Sequence, residues 1–416
     1  MSTPMEGDAA WMDGWDRTQL QTLADTYGTP VYVLDRARVA RRCAALAAAF
    51  DGVDVRYAMK ANSDPAVLAT VIDAGFGLEC ASAGELHLAL ETDIDPGRLH
   101  YTAVNPPTLD LDFFVECAEL RPAMTVTAGA VDTLERLLDR QYTGRVALRV
   151  NPGVGAGHHA KVTTGDADKF GVPIEEAMSV LERFEDRLRF VGLHAHAGSG
   201  ILGDDHASHL AMVDRLVALA TEAAAAVPGL EYLDIGGGFG VPYRPSERPL
   251  ALDALAAAID ERLQGCPLPL AIEPGRYLVA PAGVLLSRVN TSKRARTQRI
   301  IGIDAGMTTL LRPMLYDAYH PIVNLSAPPE RAREPVTVTG PICETGDVLA
   351  TDRPLRTPQR GELLAIGITG AYGFEMASTY NMRARPARVV LDGDEHTLSV
   401  PHQTLDELLA DRGVVR

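Results

Sequence analysis

Lys60 is the residue with the clearest chemical potential, and it follows a predicted strand in the segment YAMK. The chain has only three other lysines, Lys161, Lys169 and Lys293, so a reaction that needs a lysine amine has few candidates. Such an amine can bind a carbonyl group covalently and act as a catalytic anchor. To work in this way it needs acidic and anion-binding partners, and the sequence offers both.

Polar side chains and a glycine-rich loop follow other predicted strands. The polar set is Glu79, Arg149, Asn151, His194, His196, Glu273 and Arg276. The loop is GGGFG at residues 236–240, and such loops bring backbone N–H groups close to a phosphate. A lysine, a carboxylate and a phosphate loop together favour pyridoxal phosphate, because the lysine binds it covalently and the acid keeps its ring nitrogen protonated.

The elements that must position these residues have the pattern of repeated βα units. Short β-branched or apolar runs alternate with amphipathic stretches from about residue 53 to 275, and Asp64 and Ser82 are predicted helix N-caps. Eight strands are predicted near 53–58, 76–80, 99–103, 122–127, 145–150, 188–195, 231–235 and 268–273. Eight parallel strands favour a closed, TIM-like (β/α)8 barrel over an open doubly wound sheet. In such barrels the chemistry lies at the C-terminal strand ends, where the polar residues fall, and phosphate usually binds after strands seven and eight.

A second, β-rich domain is predicted after about residue 280, where β-like segments follow one another without long amphipathic helices until 403–411. The segment Val31–Leu34 is expected to pair with it. We therefore predict an α/β protein with a barrel over 36–280 and a mostly antiparallel β domain formed by 1–35 and 281–416.

Composition limits the classes of partner. Among 416 residues, 46% are hydrophobic and 23% charged, as in ordinary folded proteins, and the net charge of −16 argues against a nucleic-acid surface. No apolar run of membrane-spanning length and no signal peptide is evident, so we expect a cytoplasmic protein that does not bind membranes. The five cysteines are scattered and never form a CxxC pair, so neither a disulfide framework nor a metal site is predicted.

Several motifs resemble the pyridoxal-phosphate-dependent decarboxylases with an alanine-racemase-type barrel. They are YAMKAN (57–62), HAHAGSG (194–200), GGGFG (236–240), EPGR (273–276), CETGD (343–347) and GAYG (370–373), in order over almost the whole chain. Within that group the chain is most similar to the diaminopimelate decarboxylases, through DAGM (304–307), LRPMLYDAY (311–319) and YGFEMASTYNMR (372–383). The resemblance implies decarboxylation of meso-2,6-diaminopimelate to L-lysine, the last step of lysine synthesis, by a homodimer with shared active sites.

The same resemblance implies a role for each site residue. Lys60 would bind the cofactor covalently, His196 would stack on its ring, and Glu273 would bind its ring nitrogen. Further cofactor contacts would come from Glu79, Arg149, Ser199, Gly237, Gly238, Gly275, Arg276 and Tyr372. The substrate would be bound by Arg276, Arg312, Tyr316, Glu344 and Tyr372. Cys343 would be the proton donor, and Cys343 and Glu344 would come from the partner subunit.

Three other functions stay open at this point. HAGSG in place of the usual HIGSQ favours a decarboxylase of ornithine, lysine or a carboxylated polyamine, and Thr345 in place of the usual Ser is a second departure from the family pattern. Arg312 argues against that alternative, because a substrate without a distal carboxylate would leave its charge unpaired. An amino-acid racemase would carry an arginine where Glu273 stands. A non-catalytic homologue that binds pyridoxal phosphate would not need both Lys60 and Cys343.

Overall fold

Eight parallel strands form a closed barrel in the computed structural model, which describes residues 11–154, 156–157, 169–204 and 206–414. Each strand pairs in parallel with the next along the chain, and the eighth pairs with the first through Ala271 and Asp54. In order they are Asp54–Ala58, Gly77–Cys80, Leu99–Ala103, Thr125–Ala128, Arg145–Asn151, Arg189–His194, Tyr232–Asp234 and Leu270–Ile272. The predicted barrel is thereby confirmed, with each strand within a few residues of its predicted position.

Helices precede or follow these strands, as the βα pattern requires. They are Arg36–Ala49, Pro65–Asp73, Ala83–Leu90, Thr108–Leu120, Val131–Asp139, Ala177–Phe184, Ala207–Ala226 and Leu252–Leu263. Two of the N-caps follow from the sequence: the Asp64 side chain accepts from Ala66 N–H, and the Ser82 hydroxyl accepts from Glu85 N–H. The Glu85 carboxylate accepts from Ala81 N–H, one residue before the cap.

The other unit is a mostly antiparallel sheet, as predicted. Its strands are Val31–Asp35, Gly283–Ala295, Gln298–Ile303, Ile322–Asn324, Arg333–Thr339, Val348–Arg356, Leu363–Gly367, Ala387–Asp392 and Glu395–Val400. Val31–Asp35 pairs antiparallel with Gly283–Ala295 and parallel with Ala387–Asp392, so the expected pairing of this early segment with the β domain is present. The unit also contains the helices Arg17–Tyr27, Arg312–Tyr316 and Leu405–Ala410.

The long strand Gly283–Ala295 contributes to two parts of the core, because both of its faces are buried in its N-terminal half. Val284 and Leu286 pack into one apolar cluster, and Leu285 and Val289 pack into another. Alternate side chains of a strand point to opposite faces, so one strand serves both clusters.

The contacts within the chain divide it into a barrel unit, Ala40–Val241 with Arg248–Tyr277, and a β unit, Met1–Val39 with Pro242–Glu247 and Leu278–Arg416. The short loop Pro242–Glu247 thus belongs to the β unit, although it follows the seventh barrel strand. The boundaries predicted at residues 36 and 280 stay a prediction. Across the described ranges, none of the helices has the length and apolar character needed to span a membrane.

Candidate active site

Lys60 lies at the C-terminal end of the first barrel strand, on the short 3-10 helix Met59–Ala61. Its Nζ atom is 2.8 Å from Oε2 of Glu79 in the second strand. Glu79 is 1% exposed and the Lys60 side chain is 47% exposed, so the amine stays accessible while its acid partner is shielded from water. Burial raises the pKa of Glu79, but the charge and hydrogen bond of Lys60, together with other polar neighbours, bring it below its ordinary value.

Glu273 directly follows the eighth strand and lies beside the last residue of the sixth, His194. Oε2 of Glu273 is 3.2 Å from Nε2 of His194, and both side chains are buried. Burial, and then the negative charge of Glu79, raise the pKa of Glu273 to about 7. Burial, and then the positive charge of Arg149, lower the pKa of His194 to about 3. The imidazole is therefore neutral near pH 7 and can donate to the ionised carboxylate or accept from the protonated one.

A third buried acid, Asp234, ends the seventh strand and is paired within the barrel. Its Oδ2 accepts from Nη1 of Arg56 at 2.8 Å, and its Oδ1 accepts from the N–H of Gly236 at 2.8 Å. One ligand atom from each of His194, Asp234 and Glu273 lies within 4.8 Å of the others, a spacing that a metal ion could use. Because Asp234 already pairs with Arg56, the charge of this cluster is partly balanced without a bound cation.

The glycine loop after the seventh strand approaches two other strand ends closely. The N–H of Gly237 donates to Nδ1 of His196 at 3.1 Å, and burial keeps the pKa of His196 well below its ordinary value. The neutral ring therefore carries its proton on Nε2. A Cβ on Gly237 would lie 2.2 Å from the carbonyl oxygen of Glu273, and one on Gly238 would lie 2.7 Å from that of Gly198. These positions require glycine, and Gly238 also has a φ of +100°.

Two predicted cofactor-binding arginines, Arg276 and Arg149, belong to the barrel unit. Nε and Nη2 of Arg276 are 3.3 and 3.2 Å from the hydroxyl oxygen of Ser199, which accepts from them. Arg149, on the fifth strand, is buried with its guanidinium carbon 4.6 Å from the ring centroid of Phe170. A Cβ on Gly275 would lie 3.2 Å from an alanine Cβ of the first strand. The backbone at Gly275 is therefore closely packed next to Arg276, whose cationic group, like that of Arg149, suits an anionic ligand.

Three of the predicted site residues, Arg312, Tyr316 and Tyr372, lie in the β unit, two of them on a short helix. Arg312 begins the helix Arg312–Tyr316 and is 2% exposed, and Tyr316 ends this helix and is half-buried. Tyr372 is half-buried and has a φ of +56°, an uncommon backbone conformation for an aromatic residue. Such conformations occur often at ligand sites.

Cys343 and Glu344 lie in an exposed turn of the β unit. The N–H of Cys343 donates to Oδ1 of Asn381 at 3.0 Å, and the hydroxyl of Tyr380 donates to Oε1 of Glu344 at 2.5 Å. Buried Asp347 accepts from the backbone within the same turn. The turn is thus held in a defined shape although the thiol is exposed.

The barrel unit contains most of the predicted cofactor residues. Direct contacts join Lys60 with Glu79, His196 with Gly237, and Ser199 with Arg276. The predicted residues Arg312, Tyr316, Cys343, Glu344 and Tyr372 lie in the β unit. The individual roles of all these residues stay predictions.

Sequence reasoning missed the partners of several buried charges. It assigned no role to His194, Asp234 or Arg56, nor to His320 and Tyr243, which contact Arg312. One signal was available, because Arg56 and Asp234 each interrupt an apolar strand and a buried charge needs a partner. The identity of that partner depends on the closed barrel and is not a local property of the sequence.

The barrel residues fit pyridoxal phosphate. An accessible lysine amine lies beside a buried carboxylate, and a second buried carboxylate is available for the ring nitrogen. Backbone at Gly237 and Gly238, where no side chain fits, offers the close approach that a phosphate needs.

The comparisons with known proteins agree with this geometry. Residues 36–280 match the family described as "Pyridoxal-dependent decarboxylase, pyridoxal binding domain". The chain is 39% identical over 409 residues to the diaminopimelate decarboxylase of Methanothermobacter thermautotrophicus, covering 94% of this chain and 93% of that protein. It is 38% identical to the enzyme of the same name from Pseudomonas aeruginosa, covering 95% of each.

Solved structures show the same similarity. The diaminopimelate decarboxylase from Helicobacter pylori complexed with L-lysine matches with a TM-score of 0.87 and 29% identity, covering 95% of this chain and all of that one. A barrel with this cofactor-binding domain defines the pyridoxal-dependent decarboxylases as the class. The chain belongs to that class and, within it, to the diaminopimelate decarboxylase family.

We predict that replacing His194 by leucine raises the pKa of Glu273 above its value in the wild-type protein. The ionised carboxylate would lose a hydrogen-bond donor, and hydrogen bonds to ionised groups are the stronger ones. A carbon-13 NMR titration of glutamate carboxyl groups in cofactor-free protein measures this, with Glu273→Gln to assign the signal.

His209→Leu is the matched control, because His209 is also buried in the barrel unit and neither of its ring nitrogens has a hydrogen-bond partner among the described residues. An unchanged Glu273 titration in His194→Leu would show that the 3.2 Å contact does not control this acid.

Proposed function

We propose that this protein decarboxylates meso-2,6-diaminopimelate to L-lysine with pyridoxal 5'-phosphate. The observation that carries the proposal is the accessible Lys60 amine paired with buried Glu79, in a barrel whose sequence relatives are named diaminopimelate decarboxylase. The L-lysine complex of the Helicobacter pylori relative supports the same product.

Residues of the barrel unit would hold the cofactor. Lys60 would bind it covalently between turnovers, Glu273 would hold the ring nitrogen, and His196 would contact the ring. Glu79 and Arg149 support the ring. The phosphate would be held by Ser199, Gly237, Gly238, Gly275 and Arg276, together with Tyr372 of the β unit. When bound, the cofactor supplies an electron sink for the electron pair that remains on carbon when carbon dioxide leaves.

Proton control is the contribution of the side chains. An ionised Glu273, stabilised by donation from His194, favours a protonated ring nitrogen, which makes the electron sink effective. Glu79 holds the Lys60 ammonium in place near the reacting centre. Cys343 gives the proton that replaces carbon dioxide on the substrate carbon, so one carbon–carbon bond is exchanged for one carbon–hydrogen bond.

The far end of the substrate would be bound by Arg312, together with Tyr316, Glu344, Tyr372 and Arg276. Arg312 is buried and fixed by hydrogen bonding, and a guanidinium matches a carboxylate with two parallel N–H donors. The distal carboxylate distinguishes diaminopimelate from ornithine or lysine as substrates. The buried and fixed guanidinium of Arg312 therefore favours diaminopimelate as the substrate.

A homodimer with shared sites would explain the surroundings of Cys343. Its turn lies beside three exposed apolar side chains: Tyr380, which bonds Glu344, Met382 next to Asn381, and Met314 beside Gly346. Exposed apolar groups that cluster together favour a protein interface. A partner subunit on this surface would bring Cys343 and Glu344 to its own barrel.

We predict that Lys60→Ala abolishes turnover, the visible absorbance of the bound cofactor, and covalent labelling by borohydride. Lys169→Ala and Lys293→Ala are the controls and should retain all three. Peptide mapping after reduction identifies the labelled lysine. Label on Lys161, which lies outside the described residues, or on any lysine except Lys60 would refute the assignment.

Mixing inactive Lys60→Ala with inactive Cys343→Ala subunits should restore activity. Random pairing makes half of the dimers mixed, each with one intact site, so about a quarter of the wild-type activity is expected. Cys266→Ala controls for loss of a cysteine and should be active alone. If subunit exchange is demonstrated and no activity returns, the sites are not shared.

Arg312→Leu should lower kcat/KM for diaminopimelate by on the order of 10²-fold, about 2.7 kcal/mol, and lower any activity on lysine far less. Carbon dioxide release from diaminopimelate, ornithine, lysine and a carboxylated polyamine measures both quantities. Arg331→Leu is the control, since Arg331 pairs with Glu362 elsewhere in the β unit. A wild-type preference for ornithine or lysine, or an equal loss on all substrates in Arg312→Leu, would contradict the proposal.

A further inference from the structure

The guanidinium of Arg312 is fixed by a buried histidine whose protonation state can be read from its contacts. Nη1 of Arg312 donates to Nε2 of His320 at 2.9 Å, and Nδ1 of His320 lies 3.0 Å from the carbonyl oxygen of Gly367. A carbonyl only accepts, so Nδ1 carries the hydrogen and Nε2 presents its lone pair to the arginine. His320 is 1% exposed, so water does not compete for either bond.

An aromatic ring covers the same arginine. The guanidinium carbon of Arg312 lies 4.7 Å from the ring centroid of Tyr243, and this ring meets His320 edge to face at 5.3 Å and 80°. A cation over a tyrosine face is attracted to it. The guanidinium is therefore held in its plane by His320 and against one face by Tyr243.

The neighbouring residues make a second set of similar contacts. The ring of Tyr319 lies 4.6 Å from the guanidinium carbon of Arg244 and 3.7 Å from that of Arg353. Nη1 of Arg353 donates to the carbonyl oxygen of His320 at 2.6 Å. Tyr243 and Arg244 belong to the loop Pro242–Glu247, which is thus anchored to the segment that carries His320.

We infer that His320 and Tyr243 are positioning residues that orient the Arg312 guanidinium to bind the carboxylate at the far end of the substrate. Recognition by two parallel hydrogen bonds requires the plane of the guanidinium to be fixed in advance. The inference rests on the proposed function, because it needs a substrate that carries a distal carboxylate.

A purely structural role for His320 makes a different prediction. If the histidine only joined Arg312 to Gly367, its loss would lower stability and would affect all ligands alike. A positioning role concerns only ligands with a carboxylate for Arg312. The product L-lysine retains that carboxylate, whereas 1,5-diaminopentane has the same amines and lacks it, so this pair of inhibitors separates the two roles.

The experiment measures inhibition constants for both ligands, with kcat and KM for diaminopimelate, in three variants. His320→Phe keeps a ring beside Tyr243 and removes both nitrogens. His320→Gln places an amide oxygen as acceptor near the position of Nε2. Tyr243→Leu removes the ring face. His396→Phe is the control, since His396 bonds Tyr27 elsewhere in the β unit.

In His320→Phe we expect L-lysine to bind about tenfold more weakly and the KM for diaminopimelate to rise by a similar factor, as expected for loss of a hydrogen bond to a charged group. Binding of 1,5-diaminopentane and kcat should change less than about twofold. His320→Gln should recover part of the loss, and Tyr243→Leu should show a smaller loss of the same selectivity.

Equal weakening of both ligands, or a fall in kcat at constant KM, would overturn the inference. If His320→Phe does not fold, His320→Gln and Tyr243→Leu decide the question by the same ratio of inhibition constants. Failure of the proposed function is a separate result, because it would appear as a wild-type protein that does not release carbon dioxide from diaminopimelate.

Discussion

Repulsion between two buried carboxylates, Glu79 and Glu273, governs the arrangement of the barrel's polar residues. Burial opposes the ionisation of both groups, and the negative charge of Glu79 also disfavours ionisation of Glu273. The pKa values of the two carboxylates shift in opposite directions because the two groups have different partners in the barrel. Glu79 lies beside the cationic Lys60, whereas Glu273 lies beside a neutral imidazole. Glu79 is thus kept ionised, whereas the pKa of Glu273 is raised to about 7.

Closure of the sheet makes this difference possible. Glu79 is in the second strand and Glu273 follows the eighth, and both strands pair with the first, which leads to Lys60. An open sheet that ended at the first strand would separate the second carboxylate from this group. Asp234 is a third buried acid of the barrel, and its pairing with Arg56 limits the cost of burying it.

Much of this architecture could be predicted from sequence because its signals are local. Alternating apolar and amphipathic runs, caps such as Asp64, and the glycine loop at 236–240 are each contained in a few consecutive residues. The unpredicted contacts are long-range: His194 and Glu273 are 79 residues apart, and Arg56 and Asp234 are 178 apart. Those pairs exist only once the barrel closes, so no short pattern reports them.

The contact between Arg312 and His320 was missed for a different reason, since only eight residues separate them. The helix that begins at Arg312 ends at Tyr316, and Asp317 follows with a φ of +49°. The chain then turns back by an irregular path that helix or strand periodicity does not describe.

His194 and His320 show how one neutral side chain can serve opposite charges. His194 turns Nε2 to a carboxylate, whereas His320 turns Nε2 to a guanidinium. A neutral imidazole has one donor and one acceptor, so each histidine can match its partner without adding a buried charge. For His320 the carbonyl of Gly367 determines which ring nitrogen carries the hydrogen, because this carbonyl can only accept a hydrogen bond from Nδ1. Protonation of that ring would place a second donor against Arg312, so the contact depends on a histidine that stays neutral.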